Sequence, residues 1–462
     1  MKNNKFTLVS LLLVGTLQVR VTAQTPPTLQ EVIDSALVQD YAFENKQLEL
    51  RRIELDQERI KDAYMPRIEL NAKESYAYAA SNLTTPAFAI PQLQMAFPEH
   101  ENRYKLDNFI TQADLKASFL LFSGGKVSNL KKANEARLEA ETALLETDRN
   151  AIIQNVTALY DQLAMLKSVK ATLDQSSKRL DENLKVAEKA LSLGLITQYE
   201  YNKVTLAVSQ LAAKYKEYEG KRRLVVLSLH TITKIEYDRL EKIEEDLIIM
   251  PVSYVDEPVN RPEITALNAA VLANEYKVKA AKKWWVPKIG ASASVGYFGL
   301  HNGRLRTTDP SLTTQQPLNH TFSSVSATPV FIAGVGLKWD LFDGREGINE
   351  TKRAQIDLQI AQNKRDDVSE KITLQLEKQK VELEIAGDRL EVKKTALQIA
   401  ENSMEQAMKE FKVGLIKSLQ LLEAENDLQL AQQEYAQAIF QQRRAAVQYL
   451  EAAGVLDVTT LK

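Results

Sequence analysis

The chain has 462 residues, 44% of them hydrophobic and 26% charged, with 16 Gly, 13 Pro and no Cys at a formal net charge of −2. A chain without cysteine has no disulfides, thiol catalysis, thiolate metal sites or lipidated-cysteine anchor. Its four histidines (His100, His230, His301, His320) lie far apart and suggest neither a metal cluster nor a nucleophile and base pair, so no cofactor and no enzymatic activity are expected, and the charge balance gives no reason to expect nucleic acid.

Residues 1–23 read as a secretory signal, with basic Lys2 and Lys5, an apolar run from Phe6 to Leu17 and a small-residue cleavage site at Val21-Thr22-Ala23. No later stretch is apolar enough for a membrane-spanning helix, so a mature chain that crosses a membrane must do so by strands. Three segment pairs then recur at one spacing. Met65-Pro66-Arg67-Ile68 answers Val286-Pro287-Lys288-Ile289, Leu121-Phe122-Ser123-Gly124 answers Leu341-Phe342-Asp343-Gly344, and Gly194-Leu195-Ile196 answers Gly414-Leu415-Ile416, all 220 or 221 residues apart, with Tyr215 answering Tyr435. An internal two-fold repeat follows. Residues 24–230 form the first repeat, 231–257 an equatorial linker, 258–453 the second repeat and 454–462 a C-terminal tail.

Each repeat reads as a helix, two strands and a long helical hairpin. The strands are expected at about 66–80 and 108–122, then at about 287–298 and 330–342. Long loops, 79–108 and 299–329, rich in Pro, Thr, Asn and Gln, are expected to join them. From Lys126 to Leu193 there is neither Gly nor Pro, and apolar residues keep helical spacing, which predicts a rod of about 100 Å. Its counterpart runs from Ile348 to Val413, interrupted only by Gly387. Such rods persist only when an apolar stripe packs on neighbouring helices, so a coiled-coil-like bundle or helical wall is expected. Gly194 and Gly414 mark the hairpin tips, with Thr197 and Ser418 available as caps for the returning helices.

The four strands alternate. Ile68, Leu70, Ala72, Tyr76 and Tyr78 share a face, with Glu74 as the exception. Phe109 to Leu121, Ile289 to Tyr297 and Phe331 to Leu341 each set apolar residues on alternate positions. The opposite face carries Glu69, Lys73, Asp114, Lys116, Lys288, Lys338 and Asp340, charges of both signs that suit a wide solvent conduit. Aromatic residues (Trp284, Trp285, Trp339, Tyr76, Tyr78, Phe119, Phe122, Tyr297, Phe298, Phe342) cluster at the expected strand ends, as interfacial girdles do. Four strands cannot close a cylinder, and an open edge in hydrocarbon leaves backbone groups unpaired. Two copies would give eight strands, a barrel filled by its own side chains, whereas three give twelve and room for a pore, so a homotrimer in lipid is expected. The alternative is a periplasmic or surface coiled-coil structural protein without a pore, whose sheet keeps one wet face.

These residues resemble the outer-membrane efflux protein (TolC) family of Gram-negative bacteria. The likeness covers nearly the whole mature chain: Thr28-Leu29-Gln30-Glu31-Val32-Ile33 with Ala36-Leu37, the Met65-Pro66 and Val286-Pro287 strand entries, the Leu-Phe-x-Gly exits, Arg261-Pro262-Glu263, and the Gly-Leu-Ile tips. The resemblance implies a mainly α fold with transmembrane β: a trimeric 12-stranded β-barrel, four strands per protomer, above a periplasmic α-barrel of long helices. It implies a passive channel-tunnel of a tripartite efflux or type I secretion system, located in the outer membrane and extending into the periplasm. Its partners would be an inner-membrane pump and a periplasmic adaptor (membrane fusion) protein, which would meet the tips at Gly194, Leu195, Ile196, Gly414, Leu415 and Ile416. The family carries acidic residues after the tip glycines at the closed end. Glu200 and Glu423 match such positions and Gln420 departs from the pattern, so these three are the aperture candidates. No catalytic, cofactor or metal residue is expected.

Overall fold

A computed structural model describes residues 25–259, 261–310 and 316–461. The expected signal segment lies outside the described residues. The described residues divide into two compact units, one drawn from residues 25–47, 144–259, 261–263 and 368–461, the other from 48–143, 264–310 and 316–367.

In the first unit, α1 (Leu29–Gln39) starts at Thr28, whose hydroxyl accepts the Glu31 N–H at 3.3 Å. It is followed by the beginning of α2 (Tyr41–Lys61), most of α3 (Lys126–Ser192), all of α4 (Gln198–Thr233) and the short α5 (Tyr237–Leu240). The same unit holds much of α7 (Glu346–Lys412) and all of α8 (Ser418–Ala453). Helices α3 and α7 have 67 residues each, and α4 and α8 have 36 each. The later member of each pair starts 220 positions after the earlier, at 346 against 126 and at 418 against 198.

What holds these helices is a seven-residue rhythm of buried side chains. Leu166, Leu173, Leu180 and Ala187 recur along α3, Val204, Leu211, Tyr218 and Val225 along α4, and Leu376, Leu383 and Leu390 along α7. A strict period of seven, slightly shorter than two true helical turns, keeps one seam facing its partner and winds the helices left-handedly. Each fully buried Leu contributes on the order of 1.5–3 kcal/mol. At the base of this unit Tyr449 is fully buried, and its hydroxyl accepts the Val255 N–H at 2.7 Å. Arg443 is buried as well, and its guanidinium donates to Asp161 at 2.9 Å and to the carbonyls of Ile248 and Leu461, both at 3.1 Å. One side chain thereby ties α8 to α3, to the linker and to the C-terminal turn. Burial pushes the Asp161 carboxyl above its ordinary value, against the pull of Arg443.

The second unit contains a four-stranded antiparallel sheet in the order β1-β4-β5-β6, made of β1 (Arg67–Thr85), β4 (His100–Phe122), β5 (Lys288–Pro310) and β6 (Pro317–Lys338). A separate hairpin of β2 (Phe88–Ile90) and β3 (Met95–Phe97) sits in the connection from β1 to β4. Remaining parts of α2, α3 and α7, with α6 (Pro262–Ala281), complete the unit. Asn134 on α3 donates to the Ile53 carbonyl of α2 at 3.0 Å, and the Tyr64 and Ser123 hydroxyls pair at 2.8 Å.

The register aligns the apolar positions of all four strands. Ile68, Ala117, Ala293 and Ala333 form one row, and Leu70, Leu115, Val295 and Phe331 the next. On the other face Glu69 lies opposite Lys116, and Asn71 donates to Asp114 at 3.3 Å. A shift of one residue would exchange these two faces.

The strands differ from the sequence expectation in length. They run 19, 23, 23 and 22 residues, so most of the expected loops 79–108 and 299–329 is paired strand, while Trp339 to Leu341 fall beyond the end of β6. The physical reason is that pairing needs backbone partners, whereas periodicity is visible only where one face must be dry. Beyond Tyr76 and Phe109 the alternation fails: the face that was apolar carries Asn82 with Arg103 and Lys105 with Arg306, while Ala79, Leu106 and Leu305 make an apolar row on the other. Tyr76 and Phe109, 5.4 Å apart between ring centroids, therefore mark the end of the apolar rows on the first face and not the end of the strands.

Replacing Asp161 by Ala leaves the buried Arg443 guanidinium without its counter-charge and is expected to cost about 3–5 kcal/mol. Thermal unfolding in detergent checks this: Asp161→Ala should lower Tm by several degrees, and adding Arg443→Leu should restore part of the loss.

Candidate functional site

The two hairpin tips belong to the first unit and come together there. Both end their long helix in the same way. Gly194 (φ +71°) and Gly414 (φ +78°) adopt the left-handed conformation that only glycine takes without strain. Around Gly194 the Leu195 N–H reaches back to the Ala190 carbonyl at 2.8 Å and the Gly194 N–H to Leu191 at 2.9 Å. Around Gly414 the equivalent bonds run from Leu415 to Glu410 at 2.8 Å and from Gly414 to Phe411 at 3.0 Å. Each tip thus closes its helix with paired backbone bonds, and open space surrounds the Cβ position of both glycines, so backbone angle alone demands the residue.

The returning helices start unequally. Thr197 caps α4: its hydroxyl accepts the Glu200 N–H at 3.2 Å, while the Glu200 carboxylate accepts the Thr197 N–H at 2.9 Å, a reciprocal capping box. At α8 the capping position is Lys417, and the expected cap Ser418 is instead the first helical residue and buried. The Gln420 side chain accepts the Lys417 N–H at 3.1 Å, but an ammonium has no lone pair with which to answer the Gln420 N–H. The second tip has half a box.

The aperture candidates therefore occupy three different situations. Glu200 is the capping carboxylate of α4 and also lies 3.7 Å from the Lys417 ammonium, linking one tip to the other. Its pKa is held below the ordinary 4.5, chiefly by the Thr197 backbone bond, with the Thr197 hydroxyl and Lys417 adding to it. Gln420 is the neutral counterpart at the second tip. Glu423 is exposed one turn further along α8. Of the proposed contact residues, Leu195 and Leu415 are exposed at 73% and 75%, whereas Ile196 and Ile416 pack partly against the helical core.

Sequence reasoning missed a buried polar cluster joining α3 to α8. Glu425 is 4% exposed and takes two bonds from Arg179, at 2.5 Å from Nε and 2.9 Å from Nη2, and a third from the Ser176 hydroxyl. Gln429 donates to Ser176 at 3.3 Å and accepts from Lys214. The signal was Glu425 and Gln429 standing between Leu421, Leu422 and Leu428 on the buried stripe of α8, polar residues at core spacing. A groove of about 820 Å³ lies between the hairpins, bordered by Lys214, Lys378, Arg389, Glu217, Glu382 and Glu434, again of mixed sign. Among the described residues no group of His, Asp and Glu could hold a metal ion, and no helix is long and apolar enough to cross a membrane.

The chain is similar to known proteins in sequence and in fold. Residues 255–455 match the profile of the outer membrane efflux protein family. The chain is 24% identical over 352 residues to the outer membrane efflux protein BepC of Brucella suis, covering 74% of this chain and 72% of that one. It is 22% identical over 427 residues to the probable efflux pump outer membrane protein TtgC of Pseudomonas putida, covering 88% and 78%. Its fold matches the outer membrane protein VceC of Vibrio cholerae with a TM-score of 0.66, at 19% identity, over 92% of this chain and 96% of that chain.

Because Glu200 has a lowered pKa in the folded tip, its contribution is present above 4.5 and is lost as pH falls through the lower folded value. Amide exchange at Thr197 and Glu200, corrected for intrinsic rates, should therefore rise as pH drops from about 6 to about 3.5. Glu200→Gln, which keeps the acceptor but not the charge, should make that protection independent of pH.

Proposed function

We propose that this chain is a member of the outer membrane efflux protein family, whose profile matches residues 255–455, and that three copies form one passive channel-tunnel, a 12-stranded β-barrel continued by a periplasmic α-barrel. On this reading it is a non-enzymatic channel protein of the outer membrane that extends into the periplasm, in keeping with the names of its relatives. The observation that carries the proposal is the open sheet: its register assembles one apolar face across four strands, yet β1 and β6 each have an edge that no strand of the same sheet covers. In hydrocarbon an unpaired edge costs several kcal/mol for each backbone group, so β1 of one copy meets β6 of the next until the ring closes. Three copies close it with a lumen wide enough for solutes.

The equal lengths and 220-residue offset of the helix pairs support an internal repeat, 24–230 and 258–453, joined by the linker 231–257 and followed by the tail 454–462. The duct holds no energy source, so an inner-membrane pump drives transport and a periplasmic adaptor bridges to it. Leu195 and Leu415, exposed beside Gly194 and Gly414, are the apolar knobs that such an adaptor covers, with Ile196 and Ile416 bracing them. At the entrance Glu423 supplies the solvent-facing carboxylate of each copy. Glu200 contributes less, since Lys417 offsets its charge, and Gln420 contributes none. A ring of three such carboxylates favours cations.

Light scattering of the mature protein in detergent should give the mass of a trimer, and that trimer should conduct ions in planar bilayers; a monomer or dimer without conductance would sink the conduit. In the same bilayers Glu423→Gln should reduce cation preference more than Glu200→Gln does. Gly194→Val with Gly414→Val places side chains in left-handed backbone at roughly 1–2 kcal/mol each. That variant should keep trimer and conductance but lose pump-dependent transport in cells.

A further inference from the structure

The apolar face of the sheet is bounded on the strand side farthest from the helix connections by a cluster of positive charge, and its register decides which way that cluster points. From Ile289 opposite Leu337 to Tyr297 opposite Ala113, five successive rows on this face are apolar. The next row pairs Glu74 with Thr111, whose hydroxyl donates to the carboxylate at 2.8 Å, and the row after it holds Tyr76, Phe109 and His301. From Ile289 to His301 is about 40 Å along the strand, or roughly 28 Å across a membrane for a strand tilted ~45°. That matches one hydrocarbon thickness, so the rows beyond it sit at headgroup level.

Those rows are basic on the same face. Tyr78, Asp107 and Arg304 form the first, Ala80, Lys105 and Arg306 the second, and Asn82 with Arg103 the third, followed by Thr84 with Glu101. A β-bulge makes this possible. Between the Phe109–His301 and Asp107–Arg304 pairs, β5 advances three residues while β4 advances two, which turns Arg304 and Arg306 onto the face they would otherwise have left. Asp107 then fixes them: its side chain, 4% exposed, accepts from Arg304 Nε at 2.9 Å and from Arg306 Nη2 at 2.8 Å. The two arginine side chains remain 59% and 47% exposed, and each guanidinium fork has five N–H donors, of which Asp107 takes one. Arg103 donates Nε to Asn82 at 3.1 Å and is exposed. Four basic side chains thus stand with one buried carboxylate, Glu101 lying beyond them.

We propose that Arg103, Lys105, Arg304 and Arg306, organised by Asp107, form a lipid-binding site on the outer surface of the barrel that takes the phosphate groups of the acylated glucosamine lipid (lipid A) of the outer leaflet. Paired guanidinium forks suit phosphate oxygens, and the aromatic row beneath them suits the start of the acyl chains. Charges on a lipid-facing surface are costly near the bilayer midplane and nearly free at its boundary, so the cluster also fixes how deep the sheet sits. The inference rests on the outer-membrane reading for the direction of the apolar face.

Native mass spectrometry of the purified protein, mixed with diphosphorylated lipid A or with the same lipid after dephosphorylation, tests it. The wild type should retain the phosphorylated form at least about tenfold more strongly, and Arg103→Gln, Lys105→Gln, Arg304→Gln and Arg306→Gln together should remove that difference. Equal retention of the two lipids by the wild type overturns the site without reference to any variant. Displacement of the lipid by an equal concentration of inorganic phosphate overturns the lipid assignment in favour of a free-anion site. Planar-bilayer conductance of the wild type reports on the conduit alone, so failure of the channel reading and failure of the lipid site are separate results.

Discussion

A backbone hydrogen bond that water cannot supply is the constraint from which the rest of the molecule follows. The sheet satisfies its inner strands, since β4 and β5 each have two neighbours, and leaves β1 and β6 with one neighbour apiece. In the barrel proposed above, those two edges find their partners in sister copies, because unpaired backbone groups are costly in lipid. The matched apolar rows act with this constraint. They bring Leu70, Leu115, Val295 and Phe331 to one level, so a neighbouring copy must join in a register that continues the level or place polar side chains in hydrocarbon.

The same economy of polar groups governs the helices. Where α8 buries Glu425, Arg179 and Ser176 meet it with three bonds, and where it buries Arg443, Asp161 and two backbone carbonyls do so. These are directional contacts in a seam that is otherwise apolar, and they fix which part of α3 faces which part of α8. The tips follow a different rule, because they are exposed. Their backbone donors are closed by local caps, with a full side-chain box at the first tip, while at the second the Lys417 side chain offers no acceptor and its carbonyl takes the Gln420 N–H at 3.0 Å instead. Glu200 therefore serves geometry before it serves charge.

How much of this was legible in the sequence depends on whether a dry surface imposed a pattern. The long helices were readable because Leu166, Leu173 and Leu180 must repeat to stay on one seam, and the tips because Gly194 and Gly414 break uninterrupted helical runs. The apolar rows were readable for the same reason. The outer halves of the strands were not, since Asn82, Arg103, Lys105 and Arg306 break the apolar face with polar side chains and pair without alternation. Thr197-x-x-Glu200 spells a capping box, yet Glu200 was read for its charge, and the second tip's cap was assigned one residue late, to Ser418. Glu425 was hidden by abundance: in a chain with 61 acidic residues, one at a core position attracts no notice until its neighbours on the helix are seen to be buried. The bulge beside Asp107 leaves no trace in composition at all.

The seven-residue rhythm has an evolutionary corollary. Each residue inserted into α3 rotates everything beyond it by about 100° and lifts the seam off its partner, whereas seven restore the facing almost completely. An insertion in α3 must also be answered in α4, or the hairpin's two limbs no longer meet at Gly194, and the α7 and α8 pair must grow by the same amount if Lys417 is to stay beside Glu200. The reach of these hairpins is thus quantised: descendants of this chain can lengthen or shorten them only through four coordinated heptad-sized changes, and single-residue drift is confined to the strand connections.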